Sequence, residues 1–214
     1  MRKITQTENF KNIMIRYARD NSKEYILVIL IFIIGLFIGV MFINNCSSDK
    51  ETAITTYISD FIEKFKNAEN IDQAHLIGSS MKSNITLAII MWLAGTTIIG
   101  MPVVLGIILF RGFCLGYTVS AITLTLGVWK GMVFCILALV LQNLLFIPAL
   151  LTTGVSSIKL YKSITNDRRR ENIKVGIIKH TCISLMMMGI LIIASFIENG
   201  ISIRLLQLGM NYIG

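Results

Sequence analysis

Charge is in short supply in this chain. Only 15% of its 214 residues are Asp, Glu, Lys or Arg, whereas a soluble domain carries roughly 25%, so an ordinary water-soluble globule is excluded. Acidic residues are the scarcer kind, 12 against 20 Lys and Arg, and there are only 2 prolines, 2 histidines and 4 cysteines. No Cys-x-x-Cys pair and no Cys/His spacing points to a metal site. Cys114, Cys135 and Cys182 stand singly in apolar stretches and read as small hydrophobes. Cys46 follows Ile43, Asn44 and Asn45, the wrong context for a lipoprotein cysteine. A nucleophile elbow, a His-Glu-x-x-His helix and a phosphate-cradling loop are all missing. So is a carboxylate pair of the sort that wall-cutting glycosidases need. Asp72 and His75 stand three apart, but a zinc site commonly takes three or four ligands. The expectation is a protein that is not an enzyme and has no cofactor.

What the chain has in abundance is long apolar sequence, 54% hydrophobic residues with a mean hydropathy of +0.71. Five stretches, 25–43, 85–110, 112–128, 131–158 and 176–197, reach the scale of a bilayer crossing, which takes roughly 20 residues. They do not alternate in polarity as barrel strands do, and backbone groups inside hydrocarbon must be satisfied within their own segment. The expected fold is therefore all-α, a polytopic helical membrane protein of about five transmembrane helices forming one domain over 1–214. Repeats and low-complexity segments are absent. The first apolar stretch follows a long charged leader and lacks a small-x-small cleavage site, so it reads as a span and not as a signal peptide.

The net charge of +8 is distributed as a topology signal, with no nucleic-acid partner implied. Residues 1–24 carry six basic residues against three acids, and 159–179 carry seven against two, including Arg168, Arg169 and Arg170. Segment 44–84 reverses the balance, with four basic and six acidic residues. Cytoplasmic flanks are enriched in Lys and Arg. The basic N-terminus (1–24) and the basic loop (159–175) are thus expected inside and 44–84 outside, with the N-terminus in and the C-terminus out. Phe10, Ile13, Met14 and Tyr17 stand at helical spacing, as in a helix lying on the inner membrane surface.

Within 44–84, Ile54, Tyr57, Ile58, Phe61, Ile62 and Phe65 recur at helical spacing and predict an amphipathic helix. Asp60, Glu63, Glu69 and Asp72 are its candidate partner-docking residues, and a second helix around 71–81 leads into span two. Gly35 and Gly39, like Gly112 and Gly116, stand four apart and permit close helix contact, either within the chain or in a homodimer. Arg111 marks an inner turn between spans two and three, and 127–131 an outer turn between three and four. Pro102 and Pro148 fall within predicted spans and are expected to bend them, with Gly100 thinning the first site. Gln142 and Asn143 are expected to hydrogen-bond to neighbouring helices, including carbonyls freed by Pro148. His180 is expected at the interface.

The 92–102 block with Gly95, Ile99, Gly100 and Pro102, then Phe110, the glycine–aromatic run 112–119, and Gln142–Asn143 with Pro148 and Ala149 resemble the stage II sporulation protein M family. The layout of a basic N-terminus, a span ending near Asn44, a short outer helical segment and four further spans matches as well. Leu141 departs from the pattern, standing where proline is expected, as does the sequence after Glu198. The resemblance implies a role in engulfment of the forespore. It implies a membrane scaffold on the mother-cell side of the septal and engulfing membrane, holding two peptidoglycan-degrading partners, sporulation proteins D and P. The competing expectation is a transporter or channel component with a path near Gln142 and Asn143, since broken helices at mid-membrane often mark binding sites.

Overall fold

The computed structural model describes Arg16, residues 19–67, 73–97, 99–136, Leu139, 141–166 and 170–197. The described residues are helical apart from turns and short breaks. In order they form α1 (Ser22–Asn44), α2 (Ser48–Asn67), α3 (Gln73–Gly95), α4 (Gly100–Leu126), α5 (Val128–Cys135), α6 (Leu141–Asn166) and α7 (Arg170–Ile197). Four helical segments are long and apolar enough to cross a membrane: Ser22–Asn44, Gly100–Leu126, Asn143–Thr165 and Ile173–Phe196. At 1.5 Å per residue the 23 residues of α1 reach about 34 Å, enough for the roughly 30 Å of hydrocarbon. The protein is a multi-pass helical membrane protein. α3 is not one of the four; its first half carries Gln73, His75, Ser79, Ser80, Lys82, Ser83 and Asn84.

Cross-helix contacts fix the relative directions. Gly35 faces the backbone of Leu109 and Gly39 that of Phe113, while Gly112 faces Phe32 and Gly116 faces Leu36. Both series ascend together, so α1 and α4 are parallel. Tyr25 bonds to Thr152 and Glu24 to Lys162, which sets α6 antiparallel to α1. Ser156 meets His180, and Asn84 and Trp92 meet Ser195 and Thr181, which sets α7 against both α6 and α3. Val28, Val104, Ile108, Leu150, Val155 and Met187 fill the centre. α2 lies across the Asn44 end of α4, where Ile58 packs against Ile122 and Phe134.

The break between the predicted second and third spans lies elsewhere than expected. The chain turns between α3 and α4, at Thr96, Thr97 and Ile99, not at Arg111, and α4 runs unbroken for 27 residues through Arg111. Threonine hydroxyls close the turn. Thr96 donates to the Leu93 carbonyl at 2.7 Å, Thr97 donates to that of Ala94 at 3.0 Å, and the amide of Gly100 donates to Thr97 Oγ1 at 3.0 Å. Gly100 comes so close to the Ala94 carbonyl that a Cβ would collide with it. Pro102 thus sits in the first turn of α4, where its missing N–H has no intrahelical partner to lose; it starts a helix and does not bend a span.

The turn expected from residue 127 is present, at Gly127, whose φ of +80° favours glycine. From there α5 descends beside α4, with Gly131 against Thr123. Between α5 and α6, Ile136 and Leu139 are π-helical. The expected basic loop at 159–175 is largely helical, since α6 runs to Asn166 and α7 begins at Arg170. The expected surface helix in 1–24 falls largely outside the described residues.

Candidate functional site

Arg111 is the one charged residue within α4. Gly112 packs between the backbones of Phe32 and Leu36, and α1 extends from Ser22 to Asn44. By this register Arg111 stands near mid-height of the α1–α4 pair. It does not snorkel to an end, as an arginine at a turn would. Its guanidinium lies over the Phe146 ring at 4.8 Å from the centroid. Phe32, Cys114, Thr118, Leu139 and Asn143 complete a pocket of about 140 Å³ around it. Among the described residues the guanidinium has neither a hydrogen bond nor an ion pair.

Magnitudes decide what this means. An arginine at the centre of a membrane helix costs at least about 2.5–3.5 kcal/mol, while a cation–π contact returns about 0.5–2 kcal/mol. The aromatic contact offsets only part of the cost, and such residues mark functional sites by default. The π-helical stretch beside the pocket is a second local departure, and π-bulges recur at functional sites.

Asn143 does not reach a neighbouring helix. Its Nδ2 donates to the Leu139 carbonyl at 2.8 Å, closing backbone at the π-helical stretch, so it does not serve a carbonyl freed by Pro148. The Gln142 side chain lies outside the described residues. Pro148 is inside α6, and its own carbonyl accepts from Thr152 at 2.7 Å. A second apolar groove of about 550 Å³, lined by Leu36, Val40, Val119, Met132, Ile136 and Leu144 among others, runs along α1, α4 and α6. Asn143, Leu139, Leu115 and Ile147 border both this groove and the Arg111 pocket.

The four seam glycines Gly35, Gly39, Gly112 and Gly116 come together within the chain, each against backbone of the opposite helix. These faces are spent on each other, so they are not free for the homodimer that their spacing also allowed. Phe42 stacks edge-on to Phe113, with ring centroids 5.8 Å apart, along the same seam.

His180 is buried between helices. It is 1% exposed and is wedged against Gly95, and its Nδ1 is 2.9 Å from Ser156 Oγ. Its Nε2 has no partner with hydrogen-bond geometry, though the Trp92 carbonyl acts on the ring. The tight fit against Gly95 is a packing device for α3, α6 and α7, and Gly95 is the sequence signal for it.

On α2, Asp60 and Glu63 are exposed, while Glu69 and Asp72 lie outside the described residues. Ile54, Tyr57 and Ile58 line a groove of about 440 Å³ against Tyr117, Ala121, Ile122 and Phe134. Among the described residues no group of three or more His, Cys, Asp or Glu could hold a metal.

The family model described as stage II sporulation protein M matches residues 28–203, most of the chain. The protein belongs to this family. The match begins within α1 and takes in every helix described above, so the Arg111 pocket, the glycine seam and α2 all fall inside the family's extent. Family membership makes it a sporulation-related membrane protein. Neither comparison with curated proteins nor comparison with solved structures gives a match.

Proposed function

We propose that the protein is a non-enzymatic membrane scaffold that recruits or retains peptidoglycan-degrading enzymes, sporulation proteins D and P, during forespore engulfment. It acts in the mother-cell membrane at the septum. The chain crosses five times, with α3 supplying the second crossing, the N-terminus in the cytoplasm and the C-terminus outside. The antiparallel contacts of α3 with α7, and the basic residues near the Glu24 end of the bundle, support that path.

One observation carries the scaffold reading. α2 packs against the bundle at Ile58 and leaves the carboxylates of Asp60 and Glu63 exposed on the side assigned to the outside. The centre of the bundle is filled by side chains such as Val28, Ile108 and Val155, all 0% exposed, and so offers packing in place of a path. Co-purification from membranes of sporulating cells tests it. Asp60→Lys with Glu63→Lys should lower recovery of an amidase or lytic transglycosylase at least about fivefold at unchanged protein level. Unchanged recovery would remove this surface.

A second reading, a transporter or channel component, is favoured by the polar pocket at Arg111 and Asn143. It requires solute or ion flux in proteoliposomes that Arg111→Leu abolishes, and a broad solute screen without flux would set it aside.

A further inference from the structure

We propose that Arg111 and the groove beside it form an intramembrane docking site for the transmembrane helix of another protein, one that carries a carboxylate at mid-bilayer depth. The inference goes beyond the outer docking surface on α2, because the contact it assigns lies inside the hydrocarbon.

The argument begins with a missing counter-charge. From residue 73 to residue 166 the chain contains no Asp or Glu at all. On α1 the acid nearest in height is Glu24, which is taken by Lys162 at 2.6 Å. In sequence, Asp167 follows α6, Glu171 falls in the first turn of α7, and Glu198 follows α7. Among the described residues no carboxylate therefore stands at the depth of Arg111, in this chain or in a parallel second copy of it. The counter-charge is accordingly assigned to a different molecule.

The shape of the site selects a helix. Arg111 is half-buried, so part of it faces whatever lies beside the bundle. The groove that leads to it is apolar, about 550 Å³, and runs from Val40 and Met132 near the Asn44 end down to Asn143 and Ile147. Lipid headgroups stay at the interface, roughly half the 30 Å core away from the midplane. An acyl chain could line the groove but brings no charge to its floor. A transmembrane helix meets both demands, with an apolar surface for Leu36 and Leu144 and one carboxylate for the guanidinium. Arg suits this role because its planar fork donates two parallel hydrogen bonds to a carboxylate. Asn143 and Thr118 border the same pocket. Thr118 donates to the Cys114 carbonyl and Asn143 to that of Leu139, so each is held in place with further hydrogen-bonding capacity.

The full-length protein in lipid nanodiscs at pH 8 tests this with three synthetic probes. Each is a lysine-flanked leucine transmembrane peptide whose central residue is Glu, Gln or Leu, and binding is read by energy transfer between labelled protein and labelled peptide. The Glu peptide should bind at least about tenfold tighter than the Leu peptide, with the Gln peptide close to Leu. Arg111→Leu should erase that preference, and Arg111→Lys should keep part of it. Leu144→Trp, which fills the groove and leaves Arg111 in place, should weaken the Glu peptide about fivefold or more. Equal binding of the three peptides, a preference that survives Arg111→Leu, or indifference to Leu144→Trp would each overturn the proposal. So would displacement of the Glu peptide by millimolar chloride or phosphate, which would mark a site for free anions. The assay contains no wall enzyme, so its failure leaves the outer-surface scaffold standing, and failure of co-purification leaves this site standing.

Discussion

α1 has two working faces, and they are built from opposite materials. Toward α4 it offers glycines, and the two helices meet backbone against backbone along Gly35, Gly39, Gly112 and Gly116. Toward α6 it offers side chains: Tyr25 reaches Thr152, Glu24 reaches Lys162, and Phe32 borders the pocket that α6 shares with Arg111. In a bilayer there is no hydrophobic drive between helices, so close van der Waals packing and interhelical hydrogen bonds must do the holding. The glycine face does the first and fixes a register. The α6 face does the second and leaves room for a pocket. A rigid pair and a more open flank in one bundle are what a membrane protein needs if it is to keep its shape and still receive something from the side.

The sharpest way to break this contrast is at the seam. A Cβ at Gly116 would run into the Leu36 carbonyl, and backbone cannot step aside as a flexible side chain can. Gly116→Leu should therefore cost about 3 kcal/mol, the upper end for overpacked sites, measured by unfolding in mixed micelles with increasing denaturing detergent. Gly106 has nothing within 4 Å of a built Cβ, and Gly106→Ala should change stability by less than about 0.5 kcal/mol. Equal stability of the two variants would mean that the seam is not a backbone contact.

The flank should respond in the opposite direction. Arg111 is a half-buried charge that rests on the Phe146 ring and has no ion pair among the described residues, and a charge within a membrane helix carries a cost that an apolar residue does not. Arg111→Leu should raise the stability of the isolated protein by about 1–2 kcal/mol in the same assay. A loss of stability would mean that the arginine is structural and that the flank is as closed as the seam.

These two regions also differ in how far the sequence exposed them. The four-residue glycine spacing reads directly as close helix contact, because few other roles require a missing side chain twice per turn pair. Which helix each pair would meet could not be read, since a small-residue face fits any other. Arg111 was misread because a lone charge in apolar sequence resembles a boundary. The better boundary signal was Thr97 followed by Gly100 and Pro102, a helix-start pattern, and it was hidden by reading the proline as a kink. The burial of His180 was hidden for another reason: Gly95, 85 positions earlier in the chain, makes the space that holds it, and sequence distance conceals such a pairing. The helix of α2 was legible because its period is local; of its stripe Ile58 packs on Ile122 and Phe134, Tyr57 stays 75% exposed, and the side chains of Phe61, Ile62 and Phe65 lie outside the described residues.

A smaller effect is expected where α1 and α6 share a neutral hydrogen bond. Thr152 donates its hydroxyl to the Pro148 carbonyl at 2.7 Å, so at 3.0 Å from Tyr25 Oη it serves as acceptor for the tyrosine. Tyr25→Phe removes that donor, keeps the ring, and leaves Thr152 satisfied through Pro148. The cost should be about 0.6 kcal/mol, the average for such bonds in a membrane bundle. A loss near 3 kcal/mol would put the flank on a par with the seam.

The smallest effect belongs to the ion pair at the Glu24 end. Glu24 and Lys162 are 2.6 Å apart, but the lysine side chain is 54% exposed, so water and salt reach the pair. Exposed ion pairs contribute about 0–1 kcal/mol, and at 1 M salt the screening length falls to about 3 Å. Glu24→Gln should cost less than about 0.5 kcal/mol at low ionic strength, and the difference from the native protein should vanish at 1 M salt. A loss of several kcal/mol that salt does not touch would place the pair in hydrocarbon, well away from any aqueous surface. The Glu24 end would then lie deeper than the register with Gly112 allows, and Arg111 would no longer stand at mid-depth.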